Sequence, residues 1–194
     1  DGAGAVLLQG QPNRTGLSLR IDWIDIFSFA DQMPACMYAG AEMVDGQLQG
    51  WSRYDGGERN RRSLMAIKQD VKLLNDNIVK YTVEETLARI MVRRELHADA
   101  VDYFLPHYSS EFFRERLAVG LANAGLPIPQ ERWFTNLTSK GNTGAASIFI
   151  MLDELFKSGS LRSGQRLLCY VPESGRFSSA FMHLTVVGQD GDNA

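Results

Sequence analysis

Apolar and polar side chains change their spacing near residue 64. Before that point, residues 17–29 alternate between apolar and polar types, which indicates a strand with one covered face. The short apolar run of residues 5–8 is typical of a buried strand. The pair Asp45-Gly46 separates two further short runs, and such a pair favours a tight hairpin. The first third of the chain is therefore predicted to be rich in strands, with an exposed Gly-rich loop over residues 54–62.

Helical spacing takes over in residues 64–91, where apolar residues recur every three or four positions. Thr82-Val83-Glu84-Glu85 has the form of a capping box, so we predict two helices in series rather than one. A later helix, capped by Ser109 or Ser110, ends near Ala124, and another runs from Asn142 to about Ser158. Short apolar segments predicted as strands lie between and after these helices, at residues 100–105, 134–137, 165–171 and 177–187. This alternation indicates an α/β fold with a mostly parallel, helix-covered sheet.

Composition narrows the classes of function. The 194 residues suffice for one large domain, and the net charge of -3 gives no reason to expect nucleic acid as a partner. No apolar run approaches the roughly 20 residues that span a bilayer, so we expect no membrane association. Cys36 and Cys169 lie far apart and form no metal-ligand or redox pattern, which favours a reduced, cytoplasmic setting without a metal or redox cofactor. The start at Asp1 without a methionine suggests a piece of a longer protein.

Two polar residues stand at positions that favour chemistry. His107 directly follows the predicted strand that ends at Pro106, and Asn142 follows Gly141 at the start of a predicted helix. Groups just beyond the carboxyl ends of strands converge on the ligand crevice of an open α/β sheet. There a histidine can relay a proton, and an asparagine amide can donate to a developing oxyanion at any pH. The competing interpretations are a buried histidine satisfied by backbone and an ordinary helix cap.

Three motifs carry a resemblance to a known family. Leu105-Pro106-His107, the run from Gly141 to Ser147 (GNTGAAS) and the segment from Ser160 to Leu168 resemble the C-terminal half of the ketoacyl-acyl-carrier-protein synthase III family. The opening residues, Asp1 to Ala5, are similar to a glycine-rich turn near the end of the family's N-terminal half. The resemblance therefore covers nearly the whole chain.

The family implies a thiolase-like fold, layered α/β/α with a mixed five-stranded sheet, of which this chain would be the C-terminal half. Residues 1–62 would finish the N-terminal half and add an insertion. Residues 63–188 would form the C-terminal domain, and residues 189–194 would be a polar tail. Family members are dimers whose two halves pack together. The resemblance therefore implies two partners, an N-terminal half and a second copy of the enzyme.

The family's chemistry implies a Cys-His-Asn triad, onto which His107 and Asn142 map. The cysteine accepts an acyl group from coenzyme A or an acyl carrier protein. The histidine and asparagine then stabilise the enolate that forms when a malonyl-type extender loses carbon dioxide, and this decarboxylative or Claisen-type condensation gives a 3-oxoacyl product. Cys36 faintly resembles the nucleophile's context but lies after the glycine-rich turn, so we expect the nucleophile in a missing upstream half. The turn that includes Ser174, Gly175 and Phe177 is expected to bind substrate.

Departures from the family pattern point to a divergent member. Tyr108-Ser109-Ser110 stands where the family has Gln-Ala-Asn, and residues 172–177 replace a more glycine-rich turn. We therefore expect an enzyme of fatty-acid or polyketide biosynthesis, such as those that join two acyl chains. One alternative is a non-catalytic structural subunit of a heterodimeric condensing enzyme. Another is a ligand-binding α/β module without thioester chemistry.

Overall fold

The computed structural model describes residues 2–188, so the predicted polar tail at 189–194 lies outside the described residues. Among the described residues, no helix combines the length and apolar character that crossing a membrane requires. The strands are β1 (Leu17–Ser28), β2 (Met37–Tyr38), β3 (Ala41–Val44), β4 (Gln47–Gly50), β5 (Lys68–Gln69), β6 (Tyr103–Pro106), β7 (Arg166–Glu173) and β8 (Ser178–Gly188). The α-helices are α1 (Gly56–Arg61), α2 (Val71–Val79), α3 (Thr86–Arg94), α4 (Arg114–Asn123), α5 (Leu137–Lys140) and α6 (Ala146–Lys157).

Four of these strands form the main sheet, in the order β1-β8-β7-β6. β1, β8 and β7 are antiparallel neighbours, and β6 pairs with β7 in parallel. The sheet is thus mixed, as predicted, but within residues 2–188 it has four strands instead of the expected five. The narrower expectation of a mostly parallel sheet is wrong, because the tight turn between β7 and β8 forces those two strands to run in opposite directions.

The position beyond β6 is taken by a single bridge rather than a full strand. Trp133 forms a parallel bridge with Phe104, and the Phe134 N–H donates to the Phe104 carbonyl at 2.8 Å. The strand predicted at 134–137 shrinks to this bridge, because the short helix α5 begins at Leu137 and turns the backbone away.

Helices cover both faces of the sheet. On one face, α3 and α4 pack Leu87, Leu117 and Leu121 against Phe104, Leu168 and Tyr170, among others. On the other face, α6 packs Ile148, Met151 and Leu155 against Leu105, Leu167 and Cys169. Successive residues of β6 and β7 alternate between these two clusters, as the period of a strand requires. The observed architecture is therefore the predicted α/β/α layering.

α2 and α3 form one continuous helix, not two capped ones. A π-helical turn at Lys80–Glu85 joins them. Thr82 is fully buried there, with its hydroxyl bonded to the Ile78 carbonyl and 2.6 Å from the Tyr170 hydroxyl. The predicted cap at Thr82 is wrong because this hydroxyl bonds backward to a helix carbonyl and across to β7 instead of to a free N–H. The wide turn carries Thr82 into the core.

The segment before β1 does not form the predicted buried strand. Val6, Leu7 and Leu8 are exposed by 60%, 83% and 69%, and the backbone of residues 5–8 has no regular structure. Within residues 2–188, no strand lies beside this run to complete a hydrogen-bonded ladder. Apolar composition alone therefore does not make it a strand here.

Residues 29–70 form an irregular insertion between β1 and α2. The predicted hairpin is confirmed as β3 and β4, with Asp45 and Gly46 at φ values of 48° and 76° in a tight turn. The expected exposed loop after it contains α1, which starts because the Asp55 carboxylate accepts from the Glu58 N–H at 2.8 Å. β1, from the predicted segment 1–62, pairs with β8, from the predicted segment 63–188, so both segments contribute to one sheet.

Candidate active site

A cavity of about 240 Å³ opens at the carboxyl ends of β6 and β7. Because these strands are parallel neighbours, the residues that follow them meet at one edge of the sheet. His107, directly after β6, donates its backbone N–H to the Tyr170 carbonyl at 2.8 Å and lines the cavity. Asn142, before α6, and Ser174, after β7, line the same cavity. Three residues singled out from the sequence thus share one pocket.

His107 is nearly enclosed, with 8% of its surface exposed. Burial lowers the pKa of the imidazole below its ordinary value, because the charged form would lose its hydration. The Glu173 carboxylate acts in the opposite direction, but burial is the larger cause. The ring is therefore neutral near pH 7, and a neutral imidazole offers one N–H donor and one acceptor nitrogen.

Asn142 belongs to a loop shaped by glycine, not to the helix that follows. Its side-chain oxygen accepts from the Gly144 N–H at 2.9 Å, while α6 begins only at Ala146. Gly141 and Gly144 have φ values of 76° and 61°, a region that other residues rarely adopt. With the amide oxygen engaged in this turn, the NH₂ group is the end of Asn142 that can donate to a ligand. Asn142 was expected to cap the helix itself, but it instead caps the short turn at Gly144 that comes just before α6.

Of the three predicted binding residues in the turn between β7 and β8, only Ser174 lines the cavity. The Ser174 hydroxyl accepts from the Gln69 side chain at 3.2 Å. Gly175 instead anchors the turn, since its carbonyl accepts from the Cys36 N–H at 2.9 Å. Phe177 is fully buried at a φ of 58° in a cluster with Phe29, and it is not among the residues lining the cavity.

The triplet Tyr108-Ser109-Ser110 follows His107, where the resembled family has Gln-Ala-Asn. Two of its side chains make hydrogen bonds within the protein. Tyr108 is 4% exposed, and its hydroxyl accepts from Arg114 at 3.2 Å and donates to Glu111 at 3.3 Å. Ser109 lines the cavity. Ser110 accepts from the Phe112 N–H at 3.3 Å, which confirms the predicted cap before α4.

Several residues that line the cavity were missed in the sequence. Glu173 ends β7, and its position beside Ser174 in the same turn was a signal that could have identified it. Met37 and Gln69 come from the insertion, and no local pattern in the sequence ties them to His107. The remaining wall is apolar and comes from α2, α4 and the turn before α4; it includes Leu74, Ile78, Val79, Phe113 and Leu117.

Neither cysteine has the surroundings of a nucleophile. Cys36 is fully buried, and its thiol donates to the Asp70 carbonyl at 3.4 Å. Burial raises the pKa of both the Cys36 and the Cys169 thiols, and neither lines the cavity. Inert, buried thiols are typical of structural cysteines. Within residues 2–188, no group of three or more His, Cys, Asp or Glu side chains is placed to hold a metal ion.

Comparison with known proteins shows which family part of this chain resembles. The family described as 3-oxoacyl-[acyl-carrier-protein] synthase III C terminal matches residues 91–179, which include His107, Asn142 and Ser174. The beta-ketoacyl-[acyl-carrier-protein] synthase III of Prochlorococcus marinus is 27% identical over 172 residues, covering 87% of this chain and 45% of that protein. The chain therefore spans about half the length of the curated relatives it matches.

Solved structures show the same fold at low sequence identity. The 3-oxoacyl-(acyl carrier protein) synthase III of Xanthomonas oryzae superposes with a TM-score of 0.64 and 18% identity, covering 87% of this chain and 40% of that one. OleA of Xanthomonas campestris superposes with a TM-score of 0.62 and 17% identity, with the same two shares covered.

The mixed sheet between two helical layers and these superpositions define the class: a thiolase-like fold. Within that class, the chain is similar in residues 91–179 to the C-terminal part of the 3-oxoacyl-[acyl-carrier-protein] synthase III family, from whose curated members it diverges at 24–27% identity.

Proposed function

We propose that this chain supplies the C-terminal half of the active site of an acyl-condensing enzyme. The observation that carries the proposal is the convergence of His107, Asn142 and Ser174 on one cavity at the carboxyl ends of β6 and β7. A histidine and an asparagine in such a position can both donate to one developing oxyanion. The similarity of residues 91–179 to the C-terminal part of 3-oxoacyl-[acyl-carrier-protein] synthase III supports acyl condensation as the reaction.

The proposed reaction begins with an acyl group held as a thioester on a cysteine of an upstream half. A second thioester enters the cavity and forms an enolate, either when the C–C bond to a malonyl-type carboxylate breaks and carbon dioxide leaves or, in a Claisen-type reaction, when a base takes an α-proton. The neutral His107 and the Asn142 amide donate to the enolate oxygen and so lower the energy of this intermediate. The α-carbon then attacks the acyl-cysteine carbonyl, the C–S bond breaks, and a 3-oxoacyl thioester leaves. The low pKa of His107 suits this role, since the ring donates a proton to a hydrogen bond without carrying a charge.

Partners and setting follow from the same proposal. The substrates are acyl thioesters of coenzyme A or of an acyl carrier protein, with no further cofactor. The nucleophile comes from an N-terminal half of the same enzyme, because Cys36 and Cys169 are buried away from the cavity. The assembled enzyme is a homodimer in the cytoplasm, and the fragment alone is inactive.

A non-catalytic subunit is the second candidate. It is favoured by the triplet after His107, where Tyr108 and Ser110 are held by Arg114 and by the Phe112 N–H in structural roles. Such a chain would bind a catalytic partner and shape its pocket without taking part in the reaction.

The decisive experiment uses the chain assembled with the partner that supplies the upstream half. After incubation with a medium-chain acyl-coenzyme A, intact-mass spectrometry follows acylation and product analysis follows condensation. We expect His107→Ala and Asn142→Ala to reduce condensation by about 10²–10³-fold and to prolong the acyl adduct on the upstream cysteine. His97→Ala, an exposed histidine, and Asn123→Ala, on the outer face of α4, are the matched controls. Condensation at the wild-type rate in both pocket variants would favour the non-catalytic subunit. An acyl adduct on Cys36 would show that Cys36, and not an upstream cysteine, is the nucleophile.

A further inference from the structure

Glu173 places a carboxylate in the cavity that holds His107 and Asn142. It is the last residue of β7, and one of its carboxylate oxygens accepts from the Gly175 N–H at 3.2 Å. The same turn is fixed from the other side, because the Gly175 carbonyl accepts from the Cys36 and Met37 N–H groups. The carboxylate therefore has a defined position. Its charge acts on His107, where it opposes the effect of burial on the ring.

Among the described residues, no cationic side chain lines the cavity to neutralise this carboxylate. The described residues of the cavity wall include neither lysine nor arginine, and their remaining polar groups are hydroxyls, amides and the neutral His107 ring. The ion pairs found within residues 2–188 do not involve Glu173. Glu173 is exposed at the mouth of this cavity, and a carboxylate without an ion-pair partner can act as a base toward a C–H bond of a substrate bound there.

We propose that Glu173 is the base that removes an α-proton from a simple acyl thioester, so that the site joins two acyl thioesters without loss of carbon dioxide. This inference rests on the proposed function and names its substrate class. Glu173 takes one α-hydrogen as a proton, and the electron pair left behind forms the enolate held by His107 and Asn142. The α-carbon bonds to the carbonyl carbon of the acyl-cysteine, whose C–S bond breaks. The departing thiolate recovers the proton from Glu173, directly or through water, and every atom is accounted for.

The same carboxylate disfavours a malonyl-type substrate. A malonyl thioester would bring a second carboxylate into a cavity of about 240 Å³ that already holds the Glu173 charge. Two like charges in one cavity, without a lining cation to offset them, weaken binding by roughly tenfold. The apolar wall of Leu74, Ile78 and Phe113 suits the hydrocarbon part of a simple acyl thioester instead.

Glu173→Gln separates the proposed role from a structural one. A glutamine keeps an oxygen that can accept from the Gly175 N–H, so the turn is preserved while the base is removed. In the complete assembly, exchange of substrate α-hydrogens in heavy water is followed by mass spectrometry, beside cysteine acylation and condensation. We expect the variant to lose α-exchange and condensation by about 10²–10⁴-fold while acylation continues. Its affinity for malonyl-coenzyme A relative to acetyl-coenzyme A should rise by roughly tenfold. Asp153→Asn, which removes an exposed carboxylate on α6, is the control.

The outcomes separate this inference from the proposed function. Wild-type condensation that consumes malonyl thioesters and releases carbon dioxide, with Glu173→Gln unimpaired, would overturn the inference and leave the roles of His107 and Asn142 standing. Equal loss of acylation and α-exchange in Glu173→Gln would show a structural role for the carboxylate and also overturn it. Absence of acylation and condensation with both substrate classes would overturn the proposed function itself.

Discussion

At the scale of single residues, surroundings decide which of the candidate side chains can do chemistry. His107 and Phe177 both follow strand ends and are both enclosed, yet only His107 lines the cavity. Phe177 turns into the core at a positive φ that the sequence does not reveal. For His107, burial lowers the pKa and keeps the ring neutral, and under the proposed function this neutral ring donates to an enolate oxygen.

The low pKa of His107 predicts a loss of stability in mild acid. The unfolded chain takes up a proton on this residue near the ordinary histidine pKa of about 6.5, whereas the folded protein does so only at lower pH. The stabilising contribution is therefore complete above about pH 6.5 and is lost as the pH falls through the folded pKa. Urea unfolding between about pH 7.5 and pH 5 should show a smaller acid dependence for His107→Gln than for the wild type. His97→Gln, at an exposed site, should keep the wild-type slope, and equal slopes in all three proteins would contradict the burial argument.

At the scale of elements, the opening segment packs directly against the loop that carries Asn142. A side chain added at Gly2 would lie 2.7 Å from the Thr143 Cβ, and one added at Gly4 would lie 2.3 Å from the Phe149 Cβ. Only glycine permits this approach. The small residues after Asn142 had suggested that another segment packs close by, and that segment is the start of the chain itself.

We expect Gly4→Ala to displace the opening segment from α6. The added methyl group has no room beside Phe149, and overpacking of this kind costs about 1–3 kcal/mol. Gly10→Ala is the matched control, because nothing lies within 4 Å of the position that its Cβ would take. Hydrogen exchange at residues 141–147 should be faster in Gly4→Ala only. The same exchange rate in both variants would show that this contact does not hold the Asn142 loop.

Helices and strands could be predicted from the sequence where burial of one face produces a regular spacing of apolar residues. The alternation of residues 17–29 predicted β1, and the Asp45-Gly46 pair predicted the hairpin of β3 and β4. Both signals depend on local geometry, and both elements are present. The capping box at Thr82 was misleading, because a buried hydroxyl on β7 bonds to the same side chain that would have capped a helix. The apolar run at 5–8 was misleading for another reason: burial requires a neighbour, and a sequence pattern does not show whether one is present.

At the scale of the whole molecule, contacts distant in sequence complete the cavity. Gln69 reaches Ser174 at 3.2 Å, and the Cys36 N–H reaches the Gly175 carbonyl at 2.9 Å. These contacts join the insertion to the last turn of the sheet. Family motifs were specific enough to single out His107 and Asn142, which the structure places on one cavity. The insertion residues and Glu173 required the folded chain, because their roles depend on which segments lie across the cavity from them.

An apolar groove beside the opening segment is a candidate contact surface for the upstream half of the enzyme. Val6, Leu7 and Leu8 border a second cavity of about 880 Å³ that also includes Phe149 and Phe156. An exposed apolar patch of this kind marks an interaction surface, and under the proposed function the upstream half covers it. Coexpression with that half should therefore raise the melting temperature of this chain, and Leu7→Asp should weaken copurification. Val92→Asp, at a side chain 84% exposed on α3 and outside the groove, is the control. Unchanged copurification in Leu7→Asp would place the contact between the halves elsewhere, whereas loss in both variants would indicate a general effect of added charge.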